Sequence, residues 1–280
     1  MTNTKTWLIT GASKGFGFEL THYLLKKGHR VVASSRNTAS LQTLKEVFPE
    51  NLLAIEMQVT NESDVNEKMN LALKHFGKID VLVNNAGYGL FGTMEELTMD
   101  EIRAMYEVNV FGVIQVSRAL LPHFRANKSG AILNIASVAG SYTGAALGLY
   151  SSTKAAVIQF SEALKAEVQE FGIDVCAICP GGFRTDFLDN SSMTLAQNPI
   201  DAYTAVRNNI ERYATLNHKQ GGDPKKFPVF IEELMQLERL PARIYVGGDA
   251  LRMMGRRLDE IAQGIEQNRI LSASTDCDDL

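Results

Sequence analysis

Three side chains within one short stretch, Ser137, Tyr150 and Lys154, could together move a proton at a carbonyl oxygen. Tyr150 and Lys154 stand four residues apart, which places them on one face of any helix that holds both. A free phenol titrates near pH ~10, and a neighbouring cation favours the phenolate and lowers that value. A serine hydroxyl facing the pair could hold the carbonyl oxygen while the phenol protonates it. The spacing by itself is weak evidence. With 8 Tyr and 14 Lys among 280 residues, chance alone gives roughly 0.4 such pairs. Tyr23 and Lys27 make a second match. That pair has no serine-bearing strand beside it and reads as surface.

The company of Tyr150 comes from the elements that must position it. The apolar run Ala131–Ala136 leads into Ser137 and reads as a buried strand. Val157, Phe160, Leu164, Val168 and Phe171 lead out of it as one helical stripe. Ser137 therefore sits at a strand end and Tyr150 near a helix start. At the N-terminus a strand over residues 5–10 runs into Gly11, Ser13, Lys14, Gly15, Phe16 and Gly17. An amphipathic helix follows, Gly28 closes it, and residues 30–35 form a second strand. Strand, glycine loop, helix and strand within about 30 residues make a dinucleotide-binding unit, with the diphosphate at the helix N-terminus.

Strands at 52–57, 79–84, 131–136, 173–179 and 243–246 alternate with helices at 39–48, 65–76, 99–124, 150–171 and 249–263. Pro122 suggests a break near the end of the 99–124 helix. Repeated βα units imply a doubly wound α/β Rossmann fold, a seven-stranded parallel sheet with helices on both faces and order 3-2-1-4-5-6-7. Residues 1–270 are expected to be one domain. Residues 183–240 should form a helical flap over the site, and 271–280 a disordered polar tail.

Composition excludes several classes. Apolar residues make up 45% and charged residues 21%, which fits a globular core. A net charge of −4 without a basic block argues against nucleic acid or an anionic membrane as partner. No apolar run is long enough to span a bilayer and the N-terminus shows no signal-peptide pattern, so a cytoplasmic protein is expected. Cys176 and Cys179 spell C-x-x-C inside a strand, where residues three apart face opposite sides. The five scattered His show no ligand spacing, so no metal site is expected.

Taken in chain order, these motifs resemble the short-chain dehydrogenase/reductase family, closely over residues 5–190. Thr10–Gly17 is similar to its cofactor loop, and Asn84-Asn85-Ala86-Gly87 to its fourth-strand signature. Asn109, in Val-Asn-Val-Phe-Gly, is similar to its active-site Asn. Ser137, Tyr150 and Lys154 match its Ser and Tyr-x-x-x-Lys residues. Pro180 and Gly181 through Thr185 match its Pro-Gly turn and the Thr that meets the nicotinamide amide. Residues 85–115 and the tail helix are most similar to the hydroxysteroid/retinol-dehydrogenase-like branch. The resemblance implies that Tyr150 is the acid/base and that Lys154 lowers its pKa and holds the nicotinamide ribose. It also implies that Ser137 positions the substrate oxygen and Asn109 supports a water relay to Lys154. Where family members often carry Asp beside the adenine, this chain has Gln58, followed by Val59. Altered adenine contacts are expected rather than lost binding.

The cofactor expected is NADP(H). After the second strand the chain reads Ser34-Ser35-Arg36-Asn37, without the carboxylate that binds both ribose hydroxyls in NAD-specific relatives. Arg36 and Lys14 could instead meet a 2′-phosphate, with Ser35 or Asn37 adding hydrogen bonds. The loops beyond the strand ends carry Tyr88, Leu90, Phe91, Val138, Tyr142, Phe183, Phe187 and Leu188, with Arg184 alone as a cation. A small apolar ketone, aldehyde or alcohol is therefore the expected substrate. Pairing through the helices at 99–126 and 150–171 would give a homodimer or homotetramer. Two other readings compete. A non-catalytic NADP(H)-sensing regulator would lack one of the catalytic residues. A nucleotide-sugar epimerase needs a G-x-x-G-x-x-G loop and a larger C-terminal substrate domain, and this chain has neither.

Overall fold

The computed structural model describes residues 4–189 and 192–277. Its centre is a parallel sheet of seven strands. They are β1 (Thr6–Thr10), β2 (Arg30–Ser35), β3 (Leu52–Glu56), β4 (Val81–Asn84), β6 (Gly130–Ile135), β7 (Ile173–Pro180) and β9 (Arg243–Val246). Two further short strands, β5 (Gly89–Phe91) and β8 (Met193–Leu195), pair with each other in parallel beyond the sheet. The large sheet runs β3-β2-β1-β4-β6-β7-β9. This is the expected order once the two outlying strands are left out of the count.

Alternation within each strand explains why both faces are covered. Ile9, Val31, Val83, Leu133 and Ile178 point to one face and meet the helix α1 (Gly15–Lys26) through Leu20 and Leu24. Leu8, Val32, Leu82, Ile132 and Val175 point to the other. There they meet Val65 and Met69 of α3 (Glu62–Phe76), and Val116, Leu120 and Phe124 of α5 (Gly112–Asn127). Strands buried on both faces read as continuous apolar runs, which is the mark of a parallel sheet. Cys176 and Cys179 fall on opposite faces, in separate core clusters, and both are free thiols that burial pushes up to about 12.

Helix ends follow local chemistry. Asn61 caps α3 by accepting the Asp64 N–H, and Gly77 closes it at φ 77°. Thr98 and Glu101 form a reciprocal capping box at α4 (Met99–Tyr106). The region expected as one helix from 99 to 124 is interrupted, but not at Pro122. A π-helical turn covers Glu107–Phe111, and α5 then runs through Pro122 to Asn127. The expected 39–48 helix is a 3₁₀ turn, Ala39–Leu41, followed by α2 (Gln42–Val47). The Tyr150 helix is α6 (Gly148–Val168). Residues 183–240 contain β8, α7 (Thr204–Thr215) and α8 (Phe227–Leu234). The chain ends in α9 (Gly248–Gln267) and α10 (Arg269–Ala273). Part of the segment expected as a disordered tail, up to Ala273, is thus helical, and 278–280 lie outside the described residues.

A buried polar network ties the middle of the sheet to two helices. Asn84 on β4 donates to Asn134 Oδ1 on β6 at 2.8 Å and to Ser117 Oγ on α5 at 3.0 Å. Asn134 donates in turn to Ser161 Oγ on α6 at 2.8 Å. All four side chains are buried. Removing one partner costs each of the others a buried hydrogen bond, about 1–3 kcal/mol in all. Asn134→Ala should therefore lower unfolding stability by about 1–3 kcal/mol, since Asn84 and Ser161 each lose a partner and keep only Ser117 and the Val157 carbonyl. Urea denaturation followed by circular dichroism checks this.

Candidate active site and cofactor crevice

The crevice opens where β1 and β4 part, at the carboxyl ends of the strands. Thr10, the last residue of β1, is buried, and its Oγ1 accepts the N–H groups of Asn85 and Ala86, both at 3.0 Å. Asn85 Nδ2 donates to the carbonyls of Thr10 and Gly11 at 3.0 Å each. These bonds hold the glycine loop against the Asn-Ala-Gly turn. The loop leaves no room for a side chain at Gly17, where a Cβ would lie 2.5 Å from Gly11 O and 2.6 Å from Asn85 Nδ2. Gly15, by contrast, would meet only ordinary contacts, and what requires glycine there is its φ of 53°. Beside it the side chain of Thr185 lies 3.8 Å from where a Cβ on Gly15 would stand. Lys14, which precedes the helix, makes no side-chain cap to α1, and the first turn holds no acid. The N-terminal amides of a twelve-residue helix thus face an open glycine cradle, a fit for a diphosphate.

Lys14 and Arg36 lie close enough to repel each other; burial, and secondarily Arg36, lower the Lys14 ammonium, while Asp186 and Asp189 draw it the other way. Small polar groups surround them. Ser35 donates to Ser13 Oγ at 2.9 Å, Ser40 to the Ser13 carbonyl at 2.8 Å, and Asn37 Oδ1 caps Ala39. Gln58 is exposed at the end of β3, and its N–H is spent on Asp64 at 2.7 Å. Val59 lines the floor, close against Gly112. Phe16 does not project into the crevice. Its ring stacks on Phe227 at 4.0 Å and meets Phe183 edge-on, so only its backbone faces the cradle. Phe183 therefore belongs to the packing under α1 and not to the substrate wall expected for it.

The structure brings Ser137, Tyr150, Lys154 and Asn109 together. Tyr150 and Lys154 are buried on α6, and the Ser137 side chain lies close enough to the phenol to oppose the effect of burial on it. Ser137 ends β6 and accepts the Ala139 N–H at 3.1 Å. Lys154 Nζ donates to the Ile135 carbonyl at 2.9 Å and stands 6.0 Å from the centre of the Tyr150 ring. A Cβ on Gly87 would lie 3.1 Å from Asn109 Oδ1 and 3.5 Å from Lys154 Nζ, so this turn borders both side chains. Asn109 is fully buried in the π turn. It accepts the Tyr88 N–H at 3.0 Å and donates to the Tyr88 carbonyl at 2.9 Å and Thr153 Oγ1 at 3.2 Å. Thr153 is a residue beside the site that sequence reading passed over; a buried threonine carries no pattern that marks it.

The electrostatics differ from the expectation in one respect. Burial holds the Tyr150 phenol well above its ordinary value, and only the Ser137 side chain opposes this. Burial likewise lowers the Lys154 ammonium to about 8. At neutral pH the pair is therefore a neutral phenol beside a charged ammonium. Pro180 ends β7, Gly181 donates to Val246 O at 2.9 Å, and Asp249 accepts the Gly182 N–H at 2.7 Å, which fixes the turn that delivers Thr185. Apolar side chains close over Tyr150. Phe91 stacks at 6.5 Å, Phe187 lies at 5.7 Å, and Leu97, Leu147 and Met193 fill the same cluster. Tyr213 of α7 meets Phe91 edge-on at 5.5 Å.

Residues 5–196 match the family described as short chain dehydrogenase. The chain belongs to that family. It is 32% identical over 277 residues to Oxidoreductase BOA17 of Botryotinia fuckeliana, covering 97% of this chain and 99% of the relative. It is 33% identical over 240 residues to a 3-ketodihydrosphingosine reductase of Bacteroides thetaiotaomicron, covering 86% and 87%. A short-chain dehydrogenase from Streptomyces avermitilis superposes with a TM-score of 0.92 at 34% identity, over 98% of this chain and 100% of that one. Cofactor-bound neighbours include a serine dehydrogenase with NADP+ (27% identical, TM-score 0.74, covering 86% and 94%) and a 3-ketoacyl-(acyl-carrier-protein) reductase of Brucella melitensis with NADH (26%, 0.72, 88% and 98%). The short-chain dehydrogenase fold here is thus that of a nicotinamide-dependent oxidoreductase. Among the described residues no helix is long and apolar enough to cross a membrane.

The lowered Lys154 value has a measurable sign. Between about 8 and 10.5 the unfolded lysine holds a proton that the folded one has lost, so this group makes stability rise with pH across that window. That increment, on the order of 3 kcal/mol, is lost as pH falls through 8. Lys154→Met should remove the rise. Urea denaturation of both proteins at pH 7 and pH 10 checks it, with the variant gaining relative stability at the lower pH.

Proposed function

We propose that this protein is an NADP(H)-dependent reductase of an apolar ketone or aldehyde, running in reverse as an alcohol dehydrogenase. The observation that carries the reading is the buried Tyr150 phenol facing Ser137 with Lys154 beside it, roofed by an apolar cluster. A bound nicotinamide supplies or accepts the hydride at the carbonyl carbon. Tyr150 gives its proton to the carbonyl oxygen, and the Ser137 hydroxyl fixes that oxygen in place. Burial keeps the phenol protonated, which suits the reducing direction. Lys154 lies where a ribose hydroxyl and the phenolate left after proton transfer would both meet its charge. Asn109, through the turn at Gly87 and Tyr88, keeps the polar route to Lys154 in shape. The named activity of the Bacteroides relative supports a keto substrate, and the aromatic and methionine wall supports an apolar one. Assignment to the hydroxysteroid/retinol-dehydrogenase-like branch fits such a substrate.

In this reading residues 1–270 act as one domain and 183–240 are the flap that closes on the substrate. Phe187 against Tyr150 and Tyr213 against Phe91 support it. Subunit pairing through 99–126 and 150–171 belongs to the same proposal. Tyr150→Phe keeps the ring and removes the proton donor. Turnover of a ketone found by screening with NADPH should fall at least about 100-fold, with NADPH affinity within about threefold of wild type. Near-native turnover would remove Tyr150 from the acid role.

Preference for NADP(H) rests on Arg36 and Lys14 beside the Ser13, Ser35 and Asn37 side chains, with no carboxylate at the end of β2. A charge-assisted contact of ~1.5–3 kcal/mol to a 2′-phosphate corresponds to at least about tenfold in affinity. Fluorescence titration of NADPH and NADH should show that margin in wild type and its loss or reversal in Arg36→Asp. Equal affinities in wild type would remove the assignment.

A further inference from the structure

Little apolar packing holds the flap helix α7 to the body. Of its twelve residues only Val206 is buried. Tyr213, near its end, meets Phe91, the ring that stacks on Tyr150. A helix this short is marginal without tertiary support, and one buried valine supplies little of it.

A buried charge supplies the rest. Glu96 stands in the loop between β5 and α4, and its side chain is fully buried. Its Oε2 accepts the Thr93 N–H at 2.8 Å within that loop. Its Oε1 faces the flap, where it accepts the Ile200 N–H at 2.8 Å and pairs with the Arg207 guanidinium near the start of α7. Burial acts to raise the Glu96 carboxyl. The N–H groups of Ile200 and Thr93, the Thr93 hydroxyl and Arg207 outweigh it and hold the group below the usual carboxylate range. Arg207 Nε is buried without an acceptor among the described residues, so the guanidinium depends on this one carboxylate.

The other polar ties of the stretch are weaker. The Gln197 N–H to Glu101 and the Tyr203 hydroxyl to Glu95 lie at the surface. Asn217, beyond α7, donates to Asp189, which is itself part of the flap. Exposed polar ties of this kind hold little, whereas a buried pair that loses one partner leaves a charge uncompensated. A glutamine at 96 would still accept the Ile200 N–H, but it would leave Arg207 without a counter-charge.

We infer that Glu96 is a positioning residue for the substrate: through Arg207 and the Ile200 amide it pins α7, and so holds Tyr213 on Phe91 in the wall over Tyr150. The inference rests on the reading of 183–240 as the flap that closes on the substrate. Glu96 acts through α7 and meets neither the cofactor cradle nor Tyr150.

Hydrogen exchange of the full chain, followed by mass spectrometry, tests the pin without any substrate. Glu96→Gln should speed exchange of the α7 amides at least about tenfold, with β1, β4 and β6 unchanged. Arg207→Met should do the same. Because both break one pair, the double variant should exchange no faster than the faster single variant. Tyr203→Phe, which removes only the exposed bond to Glu95, should leave α7 as in wild type. The second arm uses the ketone found by screening with NADPH. In Glu96→Gln its KM should rise at least about fivefold, with kcat and NADPH affinity each within about twofold of wild type. Glu96→Asp, which keeps the charge, should recover part of that rise. Unchanged α7 exchange in Glu96→Gln and Arg207→Met would overturn the inference. So would faster exchange throughout the sheet, equal loosening by Tyr203→Phe, or a fall in kcat with KM unchanged. Near-native turnover by Tyr150→Phe would remove the acid assignment and leave the exchange result standing, so the two fail separately.

Discussion

Lys154 carries an ammonium into a place where only 6% of the residue reaches solvent. Removing a charge from water costs several kcal/mol, and one carbonyl acceptor at 2.9 Å recovers only part of that. The surrounding structure is arranged around this cost. The end of β6 offers the Ile135 carbonyl, and the Gly87 turn borders both the ammonium and Asn109 Oδ1 of the π turn. What remains unmet appears as the fall of the ammonium to about 8. A polar cofactor group placed there would gain more than it would at a solvated lysine, because low dielectric strengthens each contact made. The chemistry and the binding energy of the site thus share one origin.

Much of this arrangement was legible in the residues. Strands buried on two faces must be apolar throughout, so the sheet announced itself in runs such as Val31-Val32-Ala33 and Val81-Leu82-Val83. The glycine loop was legible because Gly17 has no alternative there: its missing Cβ is occupied by Gly11 O and Asn85 Nδ2. Ser137, Tyr150 and Lys154 could be paired because a strand end and a four-residue helical spacing fix their relative positions. The order of the main strands followed from right-handed βαβ connections.

Other features had no local signal. The π turn at Glu107–Phe111 adds one residue to a helix whose sequence still reads as helical, while Pro122 suggested a break where none occurs. Its cause is tertiary: Asn109 trades three hydrogen bonds with Tyr88 and Thr153. The Asn84–Asn134 network lies inside strands, where an amide in an apolar run looks like an imperfection until its partners are seen. Phe183 was misplaced for a similar reason. An aromatic next to a catalytic turn suggests a substrate wall, but here it fills the space under Phe16 and Phe227.

The segment after β7 joins the two halves of the site in one stretch of chain. Thr185 stands beside Gly15, Asp186 and Asp189 draw on Lys14, and Phe187 lies against Tyr150, all within five residues. Farther along, β8 pairs with β5, and the buried Glu96 accepts the Ile200 N–H at 2.8 Å and an ion pair from Arg207. The segment is therefore fastened at its far end and leans on the cofactor loop at its near end. The same five residues therefore border both the cofactor loop, at Gly15 and Lys14, and the Tyr150 ring, so one short stretch of chain lines both halves of the site.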